Sequence, residues 1–348
     1  MEKVFIIILN WNGWRDTIAC LESVLRSTYP RFRIVVCDNA STDESVERIA
    51  EWAEGRLQAS CPTASLDRLI TPPVSKPIPF VLADLSRQNE LPGDEEPLIL
   101  LQTGANRGFA AGVNAGLRLA LRARADYVWI LNNDTLVEST ALDELVKHMR
   151  EKPQAGICGS TLLYCDHPEV IQALGGSVFN PWLARGRHVS GGAPLHSTMI
   201  DAEQIESRLS YVVGASMLVR RSLVEEIGLM SEQYFLYFEE LDWALRARSR
   251  FSLAYAAGAI VYHREGASTG GNTLQGRSSQ LADFYVSRNR MLITRRYFPW
   301  ATLPAAMVVL AKAARRLLAG EVASSSALIR GLSRGFFQKL QTDVRPAS

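Results

Sequence analysis

The chain opens on Val4–Leu9, an apolar run with no alternating polar position, the pattern of a strand buried on both faces. Asp16–Leu25 follows with helical spacing, Ile18, Leu21 and Leu25 falling on one side. Arg33–Cys37 repeats the short buried strand and Ser45–Trp52 the helix, and the alternation resumes at Leu98–Leu101, Gly112–Leu121, Tyr127–Leu131 and Ala141–Met149. Parallel strands joined by helices make right-handed crossovers, so this part predicts a Rossmann-like half. Between Gly55 and Pro97 the pattern breaks. Seven of the chain's fifteen prolines crowd there, which predicts a surface insertion with one strand at Phe80–Leu82. Farther on, strands are expected near Gly156–Leu163 and Tyr211–Val219, glycine turns at Gly175-Gly176 and Gly191-Gly192, and helices at Ser222–Ile227 and Glu240–Ser249. Beyond Gly266 the spacing is that of a helical tail.

Composition narrows the class. The chain has 348 residues, 47% hydrophobic and 21% charged, values of a globular protein of one large or two ordinary units. Formal net charge is +2, which argues against a nucleic-acid binder. The five cysteines form no CxxC pair, and most sit in apolar surroundings, predicting reduced core thiols. The opening run is too short for a signal-peptide core, which places the expected site of action in the cytoplasm. Charge is unevenly spread: Arg288–Ser348 carries eleven basic and two acidic residues, so an acidic body precedes a basic tail.

In an open parallel sheet, ligands bind beyond the carboxyl ends of the strands. Polar residues follow each expected strand: Asn10-Trp11-Asn12-Gly13, then Asp38-Asn39-Ala40-Ser41-Thr42-Asp43, and Asn132-Asn133-Asp134-Thr135. Asn106-Arg107-Gly108-Phe109 precedes the third helix. Together they predict a polar cleft suited to a nucleotide. Each has a plainer role open to it: Asp38–Asp43 could be an Asx-turn and helix cap, and Asp134 a helix start. The glycines of Asn106–Asn114 do not follow G-x-G-x-x-G, which removes a plain dinucleotide site. Phe238-Glu239-Glu240-Leu241-Asp242-Trp243 opens a helix with three acids in four residues, either complementing the helix dipole or supplying a general base.

These segments in this order resemble the family 2 glycosyltransferases, in particular the rhamnosyltransferase-like branch that builds bacterial surface polysaccharides. The resemblance is carried by Ile6–Gly13, Val35–Ser45, Asn106–Gly116, Tyr127–Thr135, Val212–Arg221, Phe235–Arg248 and Val261–Ser268. It implies an α/β GT-A fold, in which a Rossmann-like nucleotide-binding half and a mixed central sheet form residues 1–268; the basic helical tail read from spacing and charge, 269–348, lies beyond the resemblance. The implied activity is inverting transfer of a sugar from a UDP- or dTDP-sugar to a saccharide or lipid-linked acceptor. Asp38 would bind the pyrimidine, with Asn10, Asn12, Asn39, Ser41, Asn106, Gly108 and Asn133 around the nucleotide. The family's Asp-any-Asp metal motif reads Asn132-Asn133-Asp134 here, so Asp134 would hold Mg²⁺ or Mn²⁺ together with His263. The general base would be Glu240, with Glu239 as the alternative, Asp242 as a supporting or structural acid, and Arg246 pairing with Asp242 and also serving the diphosphate. The incomplete metal motif keeps open a catalytically silent sugar-nucleotide-binding subunit. A sugar nucleotidyltransferase would want a glycine-rich phosphate loop and a lysine after the first strand, which Asn10–Gly13 does not supply.

Two further expectations concern surfaces. Trp182, near the Gly175-Gly176 turn, is a candidate acceptor contact. In the tail, Tyr297–Ala311 is uncharged yet shorter than the roughly 18 residues a bilayer span requires. Lys312, Arg315 and Arg316 share a helical face opposite Leu310 and Leu317, which predicts an interfacial helix and a peripheral position on the inner face of the plasma membrane.

Overall fold

The computed structural model describes residues 1–86, 96–264 and 279–341. The alternation of the first half folds as expected: β1 (Val4–Asn10), α1 (Trp14–Val24), β2 (Phe32–Asp38), α2 (Ser45–Ala53), β3 (Phe80–Asp84), β4 (Leu98–Gln102), α3 (Phe109–Arg122) and β5 (Tyr127–Asn132). Next come β6 (Thr135–Val137), α4 (Ala141–Glu151), β7 (Ala155–Tyr164), β8 (Ile171–Leu174), β9 (Gly176–Asn180) and β10 (Arg185–His188). They are followed by α5 (Ala202–Arg208), β11 (Tyr211–Val212), β12 (Ser216–Arg220), α6 (Arg221–Ile227), α7 (Glu239–Ala247) and β13 (Ser252–His263). Three helices, α8 (Gln280–Tyr297), α9 (Thr302–Leu318) and α10 (Val322–Phe337), close the described chain.

The central sheet runs β3-β4-β2-β1-β5-β12-β7-β13-β6, with β8 added beside β7. The strands from β3 to β5 are mutually parallel, β12 is antiparallel to both its neighbours, and β13 runs parallel to β7. Successive residues of β1 explain its unbroken hydrophobicity. Val4, Ile6 and Ile8 enter a core with Ile18, Leu21, Trp52 and Leu142, while Phe5 and Ile7 enter a second core with Val113, Leu117 and Trp243. From β1 the chain steps outward to β2 and β4, then returns to β5 on the other side. This is the switch point at which an open α/β sheet leaves a crevice beyond its strand ends.

The structure departs from the sequence expectations in the second half. The single strand expected over Tyr211–Val219 breaks at Val213-Gly214-Ala215. Its first part joins a small sheet, β10-β9-β11, and its second part crosses the central one. Strands β8 to β10 and the long β13 have no strong sequence signal. β13 reads SLAYAAGAIVYH, poor in β-branched residues over most of its length, and it is made a strand by burial between β7 and β6. Nor is the proline-rich insertion simply a surface loop. Leu66, Leu69, Ile70 and Ile78 are buried, and β3 starts directly after Pro79 as the sheet's edge strand, where a missing donor is tolerated. All five cysteines are free, and Cys20, Cys37, Cys158 and Cys165 are buried.

The tail is helical and packs on the body. Met291, Leu292, Ile293 and Ala305 share a core with Phe179, Tyr234 and Leu241. α10 crosses α8 at backbone contact: a Cβ on Gly331 would lie 2.3 Å from the Phe284 carbonyl, and one on Gly335 would lie 2.2 Å from that of Arg288. The boundary at 268/269 itself lies outside the described residues, as do the last residues of the Val261–Ser268 motif.

Candidate active site

Four strand ends and two loops meet at the switch point. Asn10 ends β1 fully buried, and its amide ties three neighbours together: Nδ2 donates to Asp38 Oδ1 (2.8 Å) and to Ser41 Oγ (3.1 Å), while Oδ1 accepts from Thr17 Oγ1 (2.8 Å). Asp38, at the end of β2, also accepts from the Ser41 hydroxyl at 2.5 Å and, through Oδ2, from the Ser41 amide at 3.0 Å. The carboxylate thus closes its own turn on the amide three residues on, but it does not cap α2, which starts at Ser45 without a side-chain cap. Three of the roughly four acceptor positions of the carboxylate are used, leaving one on Oδ2. Asn12, at a φ of 51°, accepts from the Thr42 amide at 2.7 Å and stands at the exposed rim. Asn39 is buried and donates to the Gly108 carbonyl at 3.0 Å and to Asn106 Oδ1 at 3.3 Å. Asn133 donates to Thr17 Oγ1 at 3.0 Å and approaches Asn10 Oδ1 at 3.5 Å. Asn39 and Asn133 therefore brace the pocket's wall through their side chains.

On the β5 side, Asp134 Oδ1 lies 3.2 Å from His263 Nε2, though the two are distant in sequence. His263 Nδ1 is 2.9 Å from Gln172 Oε1, a carbonyl-type acceptor that requires Nδ1 to carry the proton. The lone pair of Nε2 then faces both the Asp134 carboxylate and the Asn132 amide, whose Nδ2 lies 3.3 Å away and would give way to a cation held between the imidazole and the carboxylate. These two side chains fit a divalent ion taking few protein ligands, although among the described residues no three His, Cys, Asp or Glu side chains converge on one point. Asp16, missed in the sequence, borders this site. Its carboxyl is pushed above the usual range by burial and further by Asp134, against the pull of Arg264, whose guanidinium is 3.0 Å away.

The acid-rich helix sits opposite. The loop before α7 holds Phe235, Tyr237 and Phe238 at positive φ, 63°, 70° and 75°. It touches the nucleotide-side loop directly, since the Phe109 amide donates to the Phe235 carbonyl at 2.6 Å. A side chain on Gly108, at a φ of 93°, would meet that carbonyl at 2.3 Å, so the position requires glycine. Glu239 and Glu240 follow. Each has an Oε2 buried without a hydrogen-bond partner, and both carboxyls are desolvated. Burial raises Glu240 from 4.5 to about 7 even with backbone amides of Phe238 and Glu240 pulling it down. Glu239 lies well above the ordinary range, through burial and then the charge of Glu240.

Asp242 does not face the cleft. Fully buried, it accepts from Tyr234 (3.1 Å), Tyr297 (2.7 Å) and Arg246 (2.8 Å), with Arg296 at 3.5 Å, so it is the structural acid of the group. Arg246 is likewise unavailable to a diphosphate: its other nitrogens donate to the Ile227 and Leu229 carbonyls, both at 2.8 Å. Trp182 is exposed and stacks edge-on against Trp300, ring centres 4.4 Å apart. Two cavities of about 790 and 690 Å³ lie elsewhere, one lined by Arg185, Arg187 and Arg208, the other behind α7 between Lys152 and Arg248, and neither is lined by Asp38, Asp134, Glu239, Glu240 or His263.

Comparison with known proteins agrees with this geometry. Residues 82–282 match the model described as "Glycosyltransferase like family 2", and residues 5–61 match "Glycosyl transferase family 2". The chain belongs to the family 2 glycosyltransferases. Among its relatives are the low-salt glycan biosynthesis hexosyltransferase Agl10 of Haloferax volcanii, 25% identical over 172 residues (49% of this chain, 53% of the relative), and an N-acetylglucosaminyl-diphospho-decaprenol L-rhamnosyltransferase of Mycobacterium tuberculosis, 25% identical over 189 residues (49% and 60%). The chain thus spans a little over half the length of these relatives. Among solved structures, the mannosyltransferase PcManGT from Pyrobaculum calidifontis, in complex with GDP-Man and Mn²⁺, superposes with a TM-score of 0.52 at 16% identity, covering 97% of this chain and 87% of its own. The fold is GT-A, as the motifs imply.

Proposed function

We propose that the protein is a metal-dependent, inverting glycosyltransferase that moves a sugar from a UDP- or dTDP-sugar to a lipid-linked saccharide in cell-surface polysaccharide synthesis. The observation that carries this reading is the placement of Glu240: a carboxyl titrating near pH 7, with one unpartnered oxygen, in a helix whose leading loop closes on Gly108. A base with that affinity for protons is ionised in part at neutral pH yet still able to take one.

The remaining acceptor position of Asp38 suits the imide N–H of uracil or thymine, with Asn10 and Ser41 holding the carboxylate in place. Asp134 and His263 would hold Mg²⁺ or Mn²⁺, whose contribution when bound is to neutralise charge on the departing diphosphate. Glu240 takes the proton of the acceptor hydroxyl as that oxygen bonds to the anomeric carbon. The bond from this carbon to the diphosphate oxygen breaks on the opposite face, and its electron pair leaves with the nucleotide. One displacement inverts the anomeric centre, and Glu240 returns its proton to water. Glu239, which binds its proton more tightly, stays neutral beside it.

Membrane attachment rests on the outer face of α9. Ala305, Val309 and Ala313 point into the protein, leaving Leu303, Met307, Leu310, Leu317 and Leu318 exposed at helical spacing. Two of the basic residues expected to contact lipid are engaged internally, Lys312 with Asp283 at 2.8 Å and Arg316 with Glu321. The apolar stripe, joined by exposed Trp300, is therefore the proposed contact. No helix among the described residues is long and apolar enough to cross a membrane.

The test pairs a panel of nucleotide sugars, screened for thermal stabilisation with and without Mn²⁺, with Glu240→Gln. Transfer should fall by about 10²–10⁴ while nucleotide binding persists. Undiminished turnover in both Glu240→Gln and Glu239→Gln would refute the assignment of the base.

A further inference from the structure

The loop that presents the two glutamates is conformationally costly. Phe235, Tyr237 and Phe238 all occupy the left-handed region within four residues, where a side chain crowds its own backbone. Such a loop keeps its shape only where its surroundings impose it. Its own sequence offers no glycine to relieve it.

The constraint comes from α8, in the tail. Asn289, fully buried, lies under the loop and its Nδ2 is 2.8 Å from the Tyr234 carbonyl, 2.7 Å from that of Leu236 and 2.9 Å from that of Tyr237. Three carbonyl acceptors around one atom force that atom to be the amide nitrogen, with two N–H bonds shared among three oxygens. One turn of chain is thereby bound at three of its four peptide units. Beside it the Arg288 guanidinium donates to the Gln233 carbonyl at 2.6 Å and the Tyr234 carbonyl at 3.3 Å, and Tyr285 stacks on Phe235 with ring centres 4.7 Å apart. The far side of the loop meets Phe109 and Gly108. α8 thus sets where the glutamates stand relative to the loop that faces the donor.

We propose that Asn289 is a positioning residue for the reaction: by holding the carbonyls of Tyr234, Leu236 and Tyr237 it fixes the backbone that aims Glu240 at the acceptor hydroxyl. This rests on Glu240 being the base, as proposed above. Asn289 touches no substrate and acts wholly through that loop.

A double-mutant cycle in the full chain tests it. Asn289→Ala should lower kcat about 10- to 100-fold, the scale of a misplaced catalytic group, with the Kd for UDP or dTDP unchanged. In the Glu240→Gln background the same substitution should leave residual turnover unaltered, because the group it positions is gone. Asn289→Gln, which retains the amide on a longer arm, should recover part of the loss, and it replaces the alanine variant in the cycle if that one does not fold. A kcat within twofold of the parent, or an equal loss in both backgrounds, would overturn the proposal. Full activity of Glu240→Gln itself would instead remove the reading beneath it.

Discussion

Replacing Glu240 by Gln should change stability as well as turnover, and in a direction set by pH. In the unfolded chain the carboxyl ionises near 4.5, whereas in the folded protein burial holds it to about 7. The residue keeps some exposed surface, but its Oε2 is sealed, so the desolvation acts on the charge-bearing atom. Between those two values the folded state binds the extra proton, so stability contributed by the neutral carboxyl is fully present below pH 4.5 and is lost as pH rises through 7. A shift of about 2.5 units corresponds to about 3 kcal/mol at 1.36 kcal/mol per unit. Glutamine, neutral throughout, does not incur that loss. The variant should match the parent near pH 4.5 and exceed it at pH 8 by about 3 kcal/mol, a rise in Tm on the order of 5 °C for a chain of this size. Differential scanning calorimetry at the two pH values measures it. In parallel, kcat of the parent should climb through about pH 7 as the base ionises. An offset in Tm that is the same at both pH values, or one favouring the parent at pH 8, would refute the claim that Glu240 is held neutral by burial.

Three more outcomes follow from the geometry. Gly108→Ala places a methyl 2.3 Å from the Phe235 carbonyl at a φ of 93°, and should both destabilise the protein by about 1–3 kcal/mol and weaken nucleotide binding in calorimetric titration. Gln172→Leu removes the acceptor that fixes the His263 tautomer, and should reduce the Mn²⁺ affinity about 10- to 100-fold, read as the metal concentration needed to raise Tm. Leu303→Glu with Leu310→Glu should abolish co-sedimentation with anionic vesicles and leave turnover on a soluble acceptor within twofold, since both side chains face outward from α9.

The first half of the fold was legible because its strands are buried on both faces and its helices carry one apolar side; hydrophobicity alone distinguishes them. Their polar tips were legible for a related reason: Asn10, Asp38 and Asn133 interrupt apolar runs at the points where the sheet ends. From pattern alone the cation site was only half visible: Asp134 follows a strand, whereas His263 belongs to β13, whose alanines and glycine give no strand signal, and was named only through the family resemblance of its segment; Gln172, which orients it, carries no sequence cue at all. Arg246 was read half correctly. Its pairing with Asp242 follows from the four-residue spacing and is present, but the Ile227 and Leu229 carbonyls, which occupy its other nitrogens and leave none for a phosphate, come from the end of α6 and the turn after it and carry no sequence cue. The acidic cluster itself was plain, but its division of labour was not: Asp242 is distinguished from Glu240 by the two tyrosines and two arginines that surround it, three of them from outside its own helix.

The end of the described chain returns to the loop that leads into Glu239 and Glu240. The Gln233 side chain donates to the Lys339 carbonyl at 3.0 Å and accepts from the Gln341 amide at 3.3 Å, one residue ahead of the first carbonyl that Asn289 binds. α10 reaches that point because Gly331 and Gly335 let it lie flush against α8. Trimming a handful of residues after Phe337 therefore removes a keystone rather than a fringe: the central sheet stays standing while the arch over the proposed base loosens, and a preparation nicked there should look intact by size and circular dichroism yet turn over poorly.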